Sequence, residues 1–536
     1  MSINPGLSPA ERLAALPEFD VRLFGAAGDG VSLDSDAINR AIAAAQAAGG
    51  GIVVLPAGDY LCYSIRLCSH LTLELRPGAT LIAADSPPAG ARGGYDAPED
   101  GPPNLYQDFG HSRFRNSLLW GEGLEHVTIR GPGRIFGRGL SRGNGRIAAP
   151  FGTLAPQPPG HLPDVLEADG PIAPEPGVPP AGPFGYPHAL DTLPAGVGNK
   201  AIAFRACRHL NVRELTILHG GHFAILASAC DNVVIESVFI DTNRDGIDVD
   251  ACANVRIAHC SVNSPWDDGI CVKASCGFGG TRPVENVTIS DCYVSGFVEG
   301  TLYDGTRSRL IQHRGGPIGR IKLGTEASGG FRNIAISNCV FEFCRGLALE
   351  QVDGAGMEDV VITNLTMRDV MNAPIFIRLA GRLRAPGALA PGTARRISIS
   401  NVVAHGVAPE HGIFIAGVPD HPVTDVRLAG IQLYSRGGGT RADAARIVPE
   451  MIRDYPEPLL FGTLPSWGVY IRHAARVQLN DITLSTLAPD ARPAIEFDDV
   501  HAPDLTGIRL PGKNSSGDWV LKNVTALRAQ DCDGLA

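Results

Sequence analysis

A short repeated phrase constrains the fold of this chain more than any other feature of its sequence. An Asn or Asp precedes alternating apolar residues, often followed by a cysteine, in NVRELTI, NVVIESV, NVRIAHC, NVTISDC, NIAISNC and DVVITNL, which start at positions 211, 232, 254, 286, 333 and 359. Alternation with a period of two indicates strands with one buried face, and no copy contains a helix-length apolar pattern. The repeat therefore predicts an all-β, right-handed parallel β-helix (solenoid) in which each copy belongs to one coil.

The segments outside the repeat copies predict the remaining parts of the architecture. The stretch SDAINRAIAAAQAAGGG predicts a short N-terminal helix, capped by Asp36 and ended at Gly49, that covers the first coil. A Pro- and Gly-rich insertion at about 143–197 interrupts the coils as a lid, a binding loop or a solvated excursion. The leading Asn residues are expected to form a ladder of turn residues between coils. We expect an N-terminal tail over 1–20 and a single β-helix domain over 21–536.

Charge and cysteine usage narrow the kinds of partner. The formal net charge is −10 with both signs mixed and no basic run, which argues against nucleic acid as a ligand. The 12 cysteines form no CxxC pair and show no zinc-type spacing with His, so buried free thiols are expected. No signal peptide and no membrane-spanning segment are visible. The sequence predicts no cofactor, no metal, no membrane partner, and a monomer or weak oligomer.

Aspartates are concentrated in NRDGIDVDACANVRIAHCSVNSPWDDGICVKAS, residues 243–275. Strand alternation turns Ile247 and Val249 inward, so Asp248 and Asp250 point outward. The same reasoning on successive coils predicts an exposed polar strip, which is either solvated surface or a binding groove. Its members are Asp248, Asp250, Lys273, Arg320, Lys322, Glu350 and Arg378.

Three further carboxylates are predicted at the edge of this strip. Asp245 precedes one strand, and Asp267 and Asp268 precede the next, 267 − 245 = 22 residues or one coil later. Carboxylates held this close are candidates for shifted pKa values. One carboxyl held as an acid and one as a base are what glycosidic-bond hydrolysis requires. Clustered Asp oxygens also suit calcium, so both chemistries stay open.

These residues resemble the motifs of glycoside hydrolase family 28, the polygalacturonases. The family's Asn-Thr-Asp motif is similar to Asn243-Arg244-Asp245, and its Asp-Asp motif is similar to Asp267-Asp268 in WDDGICVKAS. The resemblance extends from about Phe24 to beyond Arg378 and is typical of exo-acting or rhamnogalacturonan-directed branches. It implies inverting hydrolysis of α-galacturonide or rhamnogalacturonan-type bonds in pectic or related acidic saccharides, in the periplasm or outside the cell.

The resemblance also implies roles for individual residues. Asp267 would protonate the leaving oxygen, while Asp245 and Asp268 would hold the attacking water as base. Residues expected to bind substrate are His222, Asn243, Asp248, Lys273, Arg320, Lys322 and Glu350.

Two family motifs do not carry over. PIGRIKLGTEASGGF stands where a Gly-His-Gly is expected, and Ala348 and Glu350 stand where an Arg-x-Lys pair is expected. The Arg320-x-Lys322 pair one coil earlier is either a displaced clamp for a uronate carboxylate or a sign of a different sugar. The alternatives to a hydrolase are a calcium-dependent polysaccharide lyase, with Arg320 or Lys322 as base, and a noncatalytic carbohydrate-binding solenoid.

Overall fold

The structure is a computed structural model that describes residues 17–87, 92–99, 113–141, 196–311, 315–385, 387–511 and 518–535. Within these ranges the chain forms 36 strands and two α-helices, α1 (Ser35–Ala47) and α2 (Arg441–Ala444). Neither helix of the described ranges is long and apolar enough to cross a membrane. The predicted insertion at about 143–197 lies almost entirely outside the described residues, as do residues 1–16 of the predicted tail.

The strands follow one another with short turns. Those up to residue 141 are β1 (Glu18–Asp20), β2 (Asp29–Leu33), β3 (Gly51–Leu55), β4 (Gly58–Cys62), β5 (Ile65–Arg66), β6 (Leu71–Leu75), β7 (Ala79–Ala83), β8 (Leu119–Glu122), β9 (Glu125–Arg130) and β10 (Arg134–Phe136). Those from 196 to 311 are β11 (Lys200–Arg205), β12 (Arg208–Arg213), β13 (Thr216–Leu218), β14 (Phe223–Ser228), β15 (Asp231–Glu236), β16 (Phe239–Asp241), β17 (Asp245–Asp250), β18 (Ala253–Ala258), β19 (Ser261–Asn263), β20 (Ile270–Ala274), β21 (Val284–Ser290) and β22 (Tyr293–Ser295).

The strands after residue 315 are longer, because several bend from one face of the solenoid to the next. They are β23 (Ile321–Ala327), β24 (Phe331–Glu342), β25 (Leu347–Gln351), β26 (Gly356–Arg368), β27 (Ile375–Leu379), β28 (Thr393–Val407), β29 (Ile413–Ala416), β30 (Val423–Ser435), β31 (Val469–Ala475), β32 (Gln478–Thr486), β33 (Ile495–His501), β34 (Asp504–Arg509), β35 (Trp519–Thr525) and β36 (Arg528–Cys532).

All three faces of the solenoid are parallel sheets. The face called here the front sheet contains β5, β8, β11, β14, β17, β20, β23, β25, β27, β29, β31, β33 and β35. A second face begins with β1, β3, β6 and β9, so Glu18–Asp20 already belongs to the sheet. The third begins with β2, β4, β7 and β10. Inward Ile, Val and Leu side chains from all three faces form one continuous core.

The predicted ladder of turn residues is present. Asn254 and Asn286 adopt left-handed φ values of 59° each. The Asn286 side-chain amide donates to Asn254 Oδ1 at 3.0 Å, and Asn333 donates to Asn286 Oδ1 at 2.7 Å. In the first phrase the ladder residue is His209, with φ 58°, whereas Asn211 lies inside β12. The prediction is therefore wrong by two residues at Asn211, because the phrase begins later relative to the turn there.

The predicted N-terminal helix is present, but its cap residue differs from the prediction. Helix α1 packs on β1, β3, β5 and β6 and buries Ile38 and Ile42. Asp36 lies in its first turn rather than at its cap, so that prediction is wrong; the N-cap is Asp34. The Asp34 carboxylate instead accepts hydrogen bonds from the amides of Ala27 and Gly28, at 2.6 and 2.9 Å.

All cysteines are free, and all except Cys532 are buried, as predicted.

One buried ion pair fastens the turn after β25 to the turn after β27. Arg382 donates from Nε and Nη2 to the Asp353 carboxylate at 2.9 and 2.5 Å, and both side chains are 1% exposed. Asp353 also accepts from the amides of Arg384 and Ala327, at 3.1 and 3.0 Å. Such a carboxylate depends on its partner, since an uncompensated buried charge is costly.

We expect Arg382→Met to lower the free energy of unfolding by about 3 kcal/mol, because it leaves Asp353 buried without its cation. Urea unfolding followed by circular dichroism measures the change. The matched control is Arg396→Met, which removes the 2.7 Å pair with Asp359, whose side chain is 51% exposed. Because solvent screens an exposed pair, this control should lose much less stability than Arg382→Met. Equal losses in the two variants would contradict a special role for the buried pair.

Candidate active site

The front sheet brings the predicted polar strip together. Directly paired positions place Asp248 beside Cys271, and Cys271 beside Lys322. The neighbouring outward positions pair Asp250 with Lys273 and, further along, Glu350 with Arg378. The strip thus runs across β17, β20, β23, β25 and β27, on the face opposite the core.

The expectation that this strip is exposed is wrong. Lys273 is 5% exposed, Lys322 is 3% exposed, and Arg378 is 1% exposed. Lys322 and Arg378 are covered by a segment between β30 and β31, residues 445–462, called here the strap. Arg378 shows the contact: its Nη2 donates to the strap carbonyls of Glu450 and Met451 at 2.6 and 3.1 Å. Lys322 and Arg378 are therefore buried between the front sheet and the strap, whereas Lys273 is buried against Asp245, Asp248 and the ring of Phe223.

Asp268 is held by two cations from the next coil. Arg320 Nε donates to Asp268 Oδ1 at 2.8 Å, and Lys322 Nζ donates to Oδ2 at 2.6 Å. Burial raises the pKa of the Asp268 carboxyl, but Lys322 and Arg320 outweigh that effect and hold it well below its usual value. Asp268 is therefore a permanently ionised, fixed carboxylate. Arg320 and Lys322 therefore bind a carboxylate of the protein itself.

Asp245 has a different environment in the neighbouring coil. It is 2% exposed, and its Oδ1 has no hydrogen-bond partner among the described residues. Lys273 Nζ lies 3.8 Å from Oδ2. Burial, together with the charges of Asp248 and Asp267, raises the pKa of Asp245 well above its usual value, although Lys273 opposes this. Asp245 is thus the carboxyl of the three that is held most weakly in its ionised form.

The third carboxylate, Asp267, faces the opening of the site. Its side chain is 22% exposed, and its Oδ2 accepts from Arg244 Nη2 at 2.8 Å. Oxygen atoms of Asp245 and Asp268 lie within 4.8 Å of each other. In inverting glycosidases the acid and base are about 6.5–9.5 Å apart. Asp245 and Asp268 therefore lie closer together than such an acid and base, and Asp267 is the more exposed carboxylate of the three.

The atoms at this cluster could also be considered as cation ligands. Asp245 and Asp268 oxygens and the Cys271 sulfur lie within 4.8 Å of one another. Calcium takes six to eight oxygen ligands, and a thiol is a soft ligand that does not suit it. Lys322 and Arg320 already supply positive charge to Asp268. The donor set does not fit the calcium site that the lyase alternative requires.

The remaining predicted site residues surround these carboxylates. Asn243 is fully buried, and neither polar atom of its side-chain amide has a hydrogen-bond partner among the described residues. His222 Nε2 lies 3.5 Å from Arg244 Nη2. Asp248 pairs with Lys273 at 2.7 Å. The contacts of His222, Asp248 and Lys273 place these side chains around the carboxylate cluster, and Asn243 precedes Asp245 by two residues. Substrate binding by all four stays a prediction.

Glu350 lies one coil beyond Lys322 and is fully buried. Its Oε2 accepts from Thr325 Oγ1 at 2.9 Å, and its Oε1 is 3.7 Å from Arg320 Nη2. Burial raises the pKa of Glu350 to about 7, against the opposing charges of Lys322 and Arg320. A role for Glu350 in substrate binding likewise stays a prediction.

Two strap residues that the sequence reasoning missed complete the site. Glu457 accepts from Arg320 Nη2 and Arg345 Nη1, each at 2.9 Å. The Tyr455 hydroxyl lies 3.4 Å from Lys322 Nζ and 2.9 Å from Thr325 Oγ1. Both lie outside every repeat copy, so the periodicity carries no signal for them.

Similarity to known proteins agrees with this geometry. A family model described as a right handed beta helix region matches residues 200–385, and one described as rhamnogalacturonase A/epimerase, pectate lyase-like, matches residues 19–73. The fold and site thus define a right-handed parallel β-helix with a carboxylate cluster on its front sheet, as predicted.

Whole-chain relatives are more specific. An exo-poly-alpha-D-galacturonosidase of Dickeya chrysanthemi is 23% identical over 84% of this chain and 74% of its own length. A probable polygalacturonase of Vitis vinifera is 23% identical over 83% of this chain and 80% of its own. The family 28 exopolygalacturonase structure of Yersinia enterocolitica shares the fold, with a TM-score of 0.57, 18% identity, and coverage of 96% of this chain and 78% of that one. The predicted resemblance to the polygalacturonase-like glycoside hydrolases is confirmed.

Proposed function

We propose that this protein hydrolyses α-galacturonide or rhamnogalacturonan-type bonds in pectic or related acidic saccharides, with inversion. The observation that carries the proposal is the division of three neighbouring carboxylates into separate environments. Asp268 is clamped and ionised, Asp245 is buried with a raised pKa, and Asp267 reaches the opening. Hydrolysis by an acid and a base needs neighbouring carboxyls whose environments differ.

The chemistry would proceed in one displacement. Asp267 gives its proton to the glycosidic oxygen as the bond from that oxygen to the anomeric carbon breaks. A water molecule attacks the anomeric carbon from the opposite face and passes a proton to Asp245. Asp268, held in place by Arg320 and Lys322, accepts a hydrogen bond from the same water. The product carries a new hydroxyl of inverted configuration.

Exo action is supported by the aromatic side chains that fill the groove beyond Glu350. The outward positions of the next coils are Phe376, Phe414 and Tyr470, in direct register. They form an apolar cluster with Val448 and Phe461 of the strap. A saccharide chain cannot continue along a surface that is filled in this way. We infer that the site accepts a chain end, consistent with the exo-acting relative from Dickeya.

A product analysis tests the proposal. We expect oligogalacturonate or rhamnogalacturonan oligomers to release new reducing ends without any unsaturated, ultraviolet-absorbing product, because water rather than β-elimination breaks the bond. Proton NMR recorded at early times should show the inverted anomer first, and a chelator should not reduce the rate. Unsaturated products would contradict hydrolysis and favour the lyase. Binding without turnover of any pectic oligomer would favour the noncatalytic solenoid.

The proposed substrate implies where the protein acts. An enzyme acting on polymeric pectic material meets its substrate in the periplasm or outside the cell, and we propose that location here. We also keep the prediction that it works as a monomer or weak oligomer, without nucleic acid or membrane partners. Fractionation of the native host cell, followed by immunoblotting, tests the location.

A further inference from the structure

The cations that resemble a uronate clamp are neutralised by the protein itself. Arg320 and Lys322 both contact Asp268, and Arg320 also contacts Glu457 and lies 3.7 Å from Glu350. Each of these side chains is at least nine-tenths buried. An added carboxylate would lose its hydration here and would find these cations already paired.

Glu457 occupies the position that a uronate carboxylate would need. Its Oε2 accepts from Arg320 Nη2 and Arg345 Nη1, each at 2.9 Å. Its Oε1 accepts from Asn372 Nδ2 at 2.8 Å and lies 3.5 Å from Arg320 Nη1. An arginine fork with a second arginine and an amide is a complete carboxylate site. Glu457 fills it as an internal carboxylate.

The strap that carries Glu457 is fastened to the front sheet. Its Phe461 ring packs edge-on against Phe414, with centroids 4.9 Å apart. Arg472 donates to the carbonyl of Val448 at 2.8 Å and also pairs with Glu450. The Glu457 carboxylate is thus held over Arg320 by aromatic packing near the C-terminal end of the strap and by the Arg472 contacts near its N-terminal end.

We propose that Glu457 makes the subsite beside Arg320 and Lys322 selective for a sugar ring that lacks a carboxylate. This inference rests on the proposed function and narrows its substrate: a pectic backbone in which a neutral sugar occupies this position, rather than an uninterrupted polyuronate. A sugar hydroxyl at this position meets no like charge, whereas a second carboxylate would be repelled by the Glu457 carboxylate.

The test uses two oligomers that differ only in the carboxylate: an oligogalacturonate, and the same oligomer with its carboxyls reduced to primary alcohols. Isothermal titration calorimetry and reducing-end release are measured on each. We expect the wild-type chain to bind the reduced oligomer at least about tenfold more tightly. Glu457→Ala removes the internal carboxylate, so binding of the oligogalacturonate should tighten at least about tenfold while the reduced oligomer changes little.

Two further variants control for loss of structure. Glu457→Gln keeps the side-chain volume and should also favour the oligogalacturonate, by a smaller factor. Glu450→Gln changes a strap carboxylate that contacts Arg472 and His473 instead, and it should keep the wild-type preference. Thermal unfolding checks that each variant is folded.

Several results would overturn the inference. They are tighter wild-type binding of the oligogalacturonate, an unchanged preference in folded Glu457→Ala and Glu457→Gln, and binding of neither oligomer. Absence of turnover on both oligomers would instead count against the proposed hydrolysis, and the binding preference would still decide the role of Glu457.

Discussion

Asp267→Asn is expected to lower kcat on a pectic oligomer by roughly 10²–10⁴-fold, because the variant cannot donate a proton to the leaving oxygen. Asp267 is the carboxylate of the cluster that reaches the opening, and its partner Arg244 is 2.8 Å away. The amide keeps the shape of the side chain, so KM should change much less than kcat. Steady-state kinetics by reducing-end release measure both.

Substrates with different leaving groups distinguish the loss of the general acid from a structural effect of the Asp267→Asn substitution. An aryl glycoside with an acidic phenol needs little protonation, so Asp267→Asn should retain far more of its rate on that substrate than on the oligomer. Asp304→Asn is a suitable control, since Asp304 is exposed and contacts Thr306 within its own turn. An equal loss on both substrates would argue that Asp267 is structural, and unchanged turnover would contradict the acid assignment.

The coils and the carboxylate cluster could be predicted because they depend on local periodicity. Alternation fixes which side chains point away from the core, and the coil from β17 to β20, which is 23 residues long, brings Asp245 beside Asp268 without any knowledge of the loops. The ladder of Asn254 and Asn286 follows from the same period. Each of these features involves residues of adjacent coils and needs only the repeat length.

The environment of the strip could not be predicted in this way. Glu457 lies 137 residues after Arg320, in a segment that belongs to no repeat copy. Periodicity does not determine the path of such a segment, so the sequence did not show that Arg320 and Lys322 are buried beneath it. The charge partner of a cation depends on which acid the covering segment brings, and that is a property of tertiary packing.

Asp245→Asn should reduce kcat by a factor similar to that of Asp267→Asn, roughly 10²–10⁴-fold, because it removes the base that accepts the proton of water. In the wild-type chain Asp245 must be ionised to act. Its pKa is raised by burial and by Asp248 and Asp267, so kcat should fall as the pH decreases through a value above about 4, where an ordinary Asp titrates. The pH dependence of kcat, measured on one oligomer, locates this acidic limb.

A substitution of Lys273 tests whether the acidic limb of the pH profile reports the ionisation of Asp245. The ammonium lies 3.8 Å from Asp245 Oδ2 and favours its ionised form, so Lys273→Met should raise the pKa of Asp245 and move the limb to higher pH. Loss of the 2.7 Å pair with Asp248 acts in the same direction, since it leaves that charge uncompensated. Lys522→Met removes a more exposed Lys–Glu pair, with Glu496 in the last coils, and should leave the limb in place. A limb that Lys273→Met does not move, or moves to lower pH, would mean that another group accepts the proton.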